Sequence, residues 1–145
     1  MNKQEELQAR LELKALVDNY ATESDKDNQD YYVNVFAPDT HVTVYMNKEV
    51  AMEFHNVADL IAAYKSFGAA KEAFHMNGQQ TVEFQDDTHA SGIVYGMAHL
   101  VNEAGGKDVL TTHYIRYYDS YEKIDGRWLI TERDQHFIFS KNESL

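Results

Sequence analysis

Apolar positions along the first third of the chain recur at helical spacing. Within residues 4–24, Leu13, Leu16, Val17 and Tyr20 fall at i, i+3, i+4 and i+7 and form one stripe. Glu5, Glu6, Arg10, Glu12 and Lys14 make the wet side, and short polar side chains end the helix around Thr22–Lys26. A shorter helix is predicted over Asn28–Phe36 with Tyr32, Val35 and Phe36 inward. It stops at Ala37-Pro38-Asp39, because proline disfavours helical backbone in the residue before it. His41–Met46 alternates as a strand up to a polar turn at Asn47-Lys48. The next helix is well punctuated. Asn56 suits the N-cap, Asp59 the first turn and Gly68 the C′ position, with Val57, Leu60, Ile61 and Tyr64 as its stripe. Residues 69–77 are ambiguous, and Ala69–Ala73 fits a further helical turn.

From Gln79 onward the pattern is that of strands. Gln79–Gln85 is a strand, Asp86-Asp87-Thr88 a turn, Ala90–Val101 a long strand and Glu103–Asp108 a loop. Tyr114–Phe139 then reads as two long arms folded about Asp125-Gly126, a dipeptide that tolerates the two positive φ angles of a type I′ turn. The tail after Ser140 reads as loose. Helices first, with one early strand, then four antiparallel strands, predict an α+β fold in which a curved antiparallel sheet wraps around N-terminal helices. Such a wrap leaves a cone-shaped hollow suited to a ligand.

Centring the hairpin on its turn places Ile115 opposite His136 and Tyr117 opposite Asp134. One face then carries His113, Ile115, Tyr117, Asp119 and Tyr121 with Ile130, Glu132, Asp134, His136 and Ile138. The other carries Tyr114, Arg116 and Tyr118 with Leu129, Arg133, Gln135, Phe137 and Phe139. A bulge would exchange part of either set.

Composition narrows the function classes. The 145 residues contain no Pro/Gly/Ser-rich linker and are 43% hydrophobic, enough for one domain with one core. A formal charge of −11 argues against nucleic-acid and anionic-membrane surfaces. The absence of cysteine excludes disulfides, thiolate metal sites and cysteine nucleophiles. The first residues are too charged for a signal peptide and no apolar run approaches membrane-spanning length, so the expectation is a soluble cytoplasmic protein.

Seven histidines are the first candidates for chemistry. His41, His55 and His89 sit beside turns or strand ends and read as surface residues. His75 lies between apolar residues just before a strand, where it is either a satisfied buried histidine or a working one. His99 and His113 fall near opposite one another on consecutive strands, but no metal motif has their spacing, so no metal is expected. Asp25 ends the first helix; it is either a solvated carboxylate or one pointed into the hollow, where desolvation would make it useful in acid–base work. No phosphate loop, nucleophile elbow or HExxH is present.

Several strings carry a family resemblance: Leu13–Tyr20 running into Asp25, Phe36-Ala37-Pro38-Asp39, His75 before a strand, and Arg116-Tyr117-Tyr118-Asp119 followed by Lys123–Trp128. Over residues 8–139 the chain resembles the SnoaL-like branch of the nuclear-transport-factor-2-like superfamily, nearest to scytalone dehydratase and bile-acid 7α-dehydratase. The resemblance implies a cone-shaped α+β barrel and an acid–base lyase or isomerase, dehydratase-like, needing no cofactor. It implies His75 as the base, Asp25 as its orienting partner, and Tyr45 and Tyr20 as hydroxyls that polarise a carbonyl or help a leaving hydroxyl. Tyr95, His99, His113 and Tyr117 are the expected substrate-binding residues. The bile-acid enzyme's further acidic residue has no counterpart in Tyr95–His99. The second histidine of scytalone dehydratase matches His99 only with a one-residue shift, and its fourth-strand serine and asparagine are replaced by Ile115 and Tyr117. The substrate of either relative is therefore not implied, and the expected substrate is a small, partly apolar carbonyl compound bound in the cone. The resemblance also implies a homodimer, or a trimer, paired through aromatic strands (Tyr114, Tyr118, Phe137, Phe139). Its alternatives are a non-catalytic small-molecule-binding or dimerising module, or an accessory subunit of an oxygenase.

Overall fold

A computed structural model describes all 145 residues. The first helix, α1, spans Lys3–Asp25 and begins with a capping box. The Asn2 side chain accepts from the Glu5 N–H at 2.8 Å, and the Glu5 carboxylate accepts from the Asn2 N–H at 3.2 Å. Its stripe Ala9, Leu13, Leu16, Val17, Tyr20 and Ala21 is buried. A 3₁₀ turn at Gln29–Asn34 follows, then β1 (Phe36–Met46), β2 (Glu49–Phe54) and α2 (Val57–Ser66). The remainder is strand: β3 (Glu72–Phe84), β4 (His89–Ala104), β5 (Lys107–Ile124) and β6 (Arg127–Ser144). One six-stranded sheet runs in the order β2-β1-β6-β5-β4-β3 and curls around α1. Leu13, Val17, Phe36, Val44, Val94 and Ile130 are among the residues packed between helix and sheet. No helix is long and apolar enough to cross a membrane.

The fold is α+β, as the pattern predicts, with several differences of physical interest. The sheet is mixed, because β1 runs parallel to β6 while every other pair is antiparallel. The helix expected to reach Phe36 is only the 3₁₀ turn, and Phe36 already pairs with Ile130. Pro38 lies in the register break between Phe36 and His41, where the ladder does not need its missing N–H. Residues 72–77, left open between helix and strand, form the first half of β3. The weakly patterned Glu49–Phe54 is an edge strand that alternation had not revealed. The tail is also ordered as strand, with Val109 paired to Ser144.

The Asp125-Gly126 turn forms as expected, with φ of 50° and 81°. Its expected register holds only as far as Tyr121–Ile130. Thr131 is an extra residue on β6, so Ser120 pairs with Glu132, Tyr117 with Gln135 and Ile115 with Phe137. The bulge flips parity. Arg133, Gln135 and Phe137 therefore share the concave face with His113, Ile115, Tyr117, Asp119 and Tyr121, while Glu132, Asp134 and His136 turn outward. A second bulge in β3 places Gly78 and Gln79 against Tyr95 alone and bends the strand over α1. Asn77 Nδ2 then donates to the Val17 carbonyl at 3.0 Å, and Gln80 Nε2 to the Leu13 carbonyl at 3.3 Å.

Candidate active site

The end of α1, the start of β3 and the concave faces of β4, β5 and β6 enclose a cavity of about 430 Å³. Asp25 is the last residue of α1, at the negative end of the helix dipole, with no basic residue in the last turn. A carboxylate there is opposed by the helix and needs a local donor. His75 supplies it. Its backbone N–H is 3.0 and 2.9 Å from the two Asp25 oxygens, and its Nδ1 is 2.5 Å from Oδ1. The pair is half-buried, with side-chain exposures of 18% for His75 and 27% for Asp25. Because Asp25 accepts from Nδ1, the ring is held in the tautomer that leaves the Nε2 lone pair for the cavity. With Nδ1 held on the carboxylate, the arrangement suits a base that takes up a proton at Nε2 during reaction.

Across the sheet, His75 pairs with Ala98 and Ala98 with His113, which places a second imidazole on the concave face two strands away. His113 Nδ1 is 2.6 Å from Ser140 Oγ, and its ring stacks on Phe137 at 4.8 Å. Burial, with a smaller contribution from His75, lowers its pKa below the ordinary histidine value. His113 therefore stays neutral near pH 7.

The deep wall carries hydroxyls from Tyr20, Tyr32, Tyr64 and Tyr117 and the amide of Gln135. Tyr32 is fixed by a 2.7 Å hydrogen bond to Ser24. Burial raises the pKa of Tyr32, Tyr64 and Tyr117 far above the ordinary phenol value, so all three remain neutral donors. Behind them lies a buried ion pair. Arg133 Nε and Nη2 donate to Asp119 at 2.7 and 3.0 Å, with side-chain exposures of 1% and 0%. Burial alone would lower the Arg133 pKa, but Asp119 and the neighbouring tyrosines outweigh it, and the net shift is upward. The guanidinium lies 4.1 Å from the Tyr117 ring centroid and 4.9 Å from that of Tyr20, so aromatic faces receive the charge that Asp119 does not.

Of the residues singled out from sequence, Asp25, His75, Tyr20, His113 and Tyr117 line the cavity together. Three do not. Tyr45 belongs to the outward set of β1, where Val42 and Val44 point to the core, and it stacks on the outward His136 at 4.3 Å. Tyr95 and His99 flank the inward Ala98 on β4 and also turn outward. Tyr95 lies against Arg116, and His99 Nδ1 contacts the Phe74 carbonyl at 3.2 Å. The physical reason is strand parity, which places alternate residues on opposite faces. Tyr32, Tyr64 and Gln135 were missed as site residues. The inward stripes of the helical segments already carried Tyr32 and Tyr64; Gln135 was hidden by the Thr131 bulge.

Comparison with known proteins places the geometry in context. A family model for the SnoaL-like domain matches residues 5–134. A candidate scytalone dehydratase from Novosphingobium aromaticivorans superposes with a TM-score of 0.84 at 15% identity, covering 99% of this chain and 93% of that one. A type 2 hexachlorocyclohexane dehydrochlorinase (LinA) gives 0.83 at 14% identity, covering 98% and 93%. The LinA type 3 protein from Novosphingobium barchaimii gives 0.78 at 16% identity, covering 98% and 94%. At these identities the likeness establishes the fold. No curated protein sequence matches the chain.

Proposed function

The chain belongs to the SnoaL-like domain family, and on that premise we propose that it is an acid–base lyase of the dehydratase type. Its substrate is a small, partly apolar carbonyl compound with a leaving group β to the carbonyl. The observation that carries this reading is the His75–Asp25 pair, with Nδ1 on the carboxylate at 2.5 Å and the ring on the cavity wall. The names of the structural neighbours, a dehydratase and two dehydrochlorinases, denote loss of a small molecule from a substrate, which supports the same class.

In the proposed reaction His75 Nε2 takes the proton from the carbon α to the carbonyl. The electron pair of that C–H bond becomes the new C=C bond, and the β-hydroxyl departs with a proton from a tyrosine hydroxyl, leaving as water. Return of the proton from His75 to the tyrosine through solvent closes the cycle. Asp25 orients the imidazole and holds its transient charge. Tyr20 and Tyr117, with Tyr32 and Tyr64, are the hydroxyl donors for the carbonyl and the leaving oxygen. Met46, Met52, Leu100 and Phe137 supply the apolar lining that selects a partly apolar substrate, and the cavity of about 430 Å³ is of ordinary ligand size.

The test is α-proton exchange in D2O, with enone formation, across a panel of β-hydroxy ketones followed by proton NMR. Wild-type protein exchanges or dehydrates at least one member, while Asp25→Asn and His75→Ala lose about 10²–10⁴ of that rate. Exchange at the buffer rate throughout the panel, or activity that survives in His75→Ala, overturns the reading.

The proposal extends to assembly. Phe74, Met76, Tyr95, Tyr118 and Phe139 are exposed at 39–60%, and they belong to the outward faces of β3 to β6. An apolar surface of this kind supports pairing of two copies sheet to sheet. Phe137 takes no part, since it lies in the cavity.

A further inference from the structure

His41, Glu53 and His55 meet on the outward face of the β1–β2 pair, away from the cavity. The register runs Val42 to Phe54 and Thr43 to Glu53, so one further step brings His41 opposite His55. Glu53 and His55 are two residues apart and project on one face. The His41 and His55 rings lie 4.7 Å apart, and His41 Nε2 is 2.9 Å from Glu53 Oε1. One donor atom from each of the three residues lies within 4.8 Å of the other two. The neighbouring strand adds negative potential, since exposed Glu132 is the β6 partner of His41. Two imidazoles side by side beside a carboxylate repel each other when protonated, whereas a cation can use both of their lone pairs.

We propose that His41, Glu53 and His55 bind one divalent cation of borderline softness, with Zn(II) as the type. Two imidazoles and one carboxylate select Zn(II), Ni(II) or Cu(II) over Mg(II) and Ca(II), which prefer oxygen shells. Metal–ligand bonds of about 2.0–2.1 Å in a tetrahedron set donor separations near 3.3 Å. Rotation of these surface side chains closes the present spacing to that value and leaves the fourth position to water. The ligands join β1 to the β2–α2 junction, where His55 directly precedes Asn56, the N-cap of α2. The two elements joined there carry Met52 (β2) and Tyr64 (α2) of the cavity wall, so the cation braces the wall without touching the reaction centre. The inference is independent of the chemistry assigned to the cavity.

The experiment uses the full, tag-free chain, stripped with a chelator and titrated with Zn(II) by calorimetry, with Co(II) as the optical probe. The expected result is one equivalent bound with a dissociation constant below about 100 μM, a visible Co(II) spectrum of low coordination number, and a higher melting temperature with Zn(II) than with Mg(II). His41→Ala, Glu53→Gln and His55→Ala each weaken binding at least about tenfold. His89→Ala is the control, because His89 also sits between carboxylates, 2.9 Å from Asp86 and 3.6 Å from Glu122. Wild-type affinity in the His55→Ala and His41→Ala chains, loss of binding in His89→Ala instead, or no binding tighter than millimolar overturns the proposal. Circular dichroism of each variant verifies that a loss reflects the ligand and not the fold.

Discussion

Asp119→Asn isolates the energetic centre of the deep cavity wall. Asp119 accepts from Arg133 at 2.7 and 3.0 Å and from the Tyr121 hydroxyl at 3.0 Å, and both charged side chains are essentially inaccessible to solvent. Asparagine preserves the shape but leaves the guanidinium without a counter-charge. Breaking a buried pair from one side typically costs about 3–5 kcal/mol, because the remaining ion stays desolvated. The rings of Tyr117, Tyr20 and Phe36, at 4.1, 4.9 and 5.5 Å, remain and hold the loss toward the lower end. With a urea m-value of about 2 kcal/mol/M, a loss near 3 kcal/mol moves the unfolding midpoint down by about 1.5 M. The companion is Asp119→Leu combined with Arg133→Met, which removes both desolvation penalties and stays within about 2 kcal/mol of wild type. The assay is equilibrium urea unfolding of the three chains. An Asp119→Asn midpoint within about 0.3 M of wild type refutes the reasoning. So does a double variant as unstable as the single one, since packing rather than unpaired charge would then carry the effect.

Gly92→Ala should cost about 1–3 kcal/mol, because an added Cβ would lie 2.4 Å from the Thr81 carbonyl oxygen, a backbone atom that cannot swing away; chemical denaturation checks it. His113 has a folded pKa below its unfolded value, so the folded protein binds fewer protons across that interval. Its contribution is complete above the unfolded value of about pH 6.5 and is lost progressively as pH falls from there through the lower folded pKa. His113→Phe should therefore narrow the stability gap between pH 7 and pH 5, and an unchanged gap counts against it. Phe139→Glu should shift the proposed dimer toward monomer in sedimentation velocity at micromolar concentration; a wild-type chain that is monomeric under the same conditions removes the basis for that interface.

Much of this architecture is written into local pattern. The α1 stripe, the Asn56 cap of α2 and the Asp125-Gly126 turn each depend on chemistry within a few residues, and each formed where the pattern places it. Asp25 and His75 could be nominated one at a time, on resemblance and position, but their contact spans 50 residues. Only closure of β3 over the end of α1 brings them together. The side of the sheet on which a residue works was the least legible property. Tyr45, Tyr95 and His99 face away from the cavity because parity is counted from neighbouring strands; one extra residue at Thr131 exchanges the faces of residues 132–137, and a second irregularity opposite Tyr114 and Ile115 exchanges them back. The same rule explains His41 and His55, which are unremarkable beside their turns in the sequence and adjacent in space. The sequence by itself determined most of the elements and the type of fold, since periodicity and capping are short-range effects. The tertiary structure alone decided which side chains share the cavity, because bulges and strand order are set by pairing between distant segments.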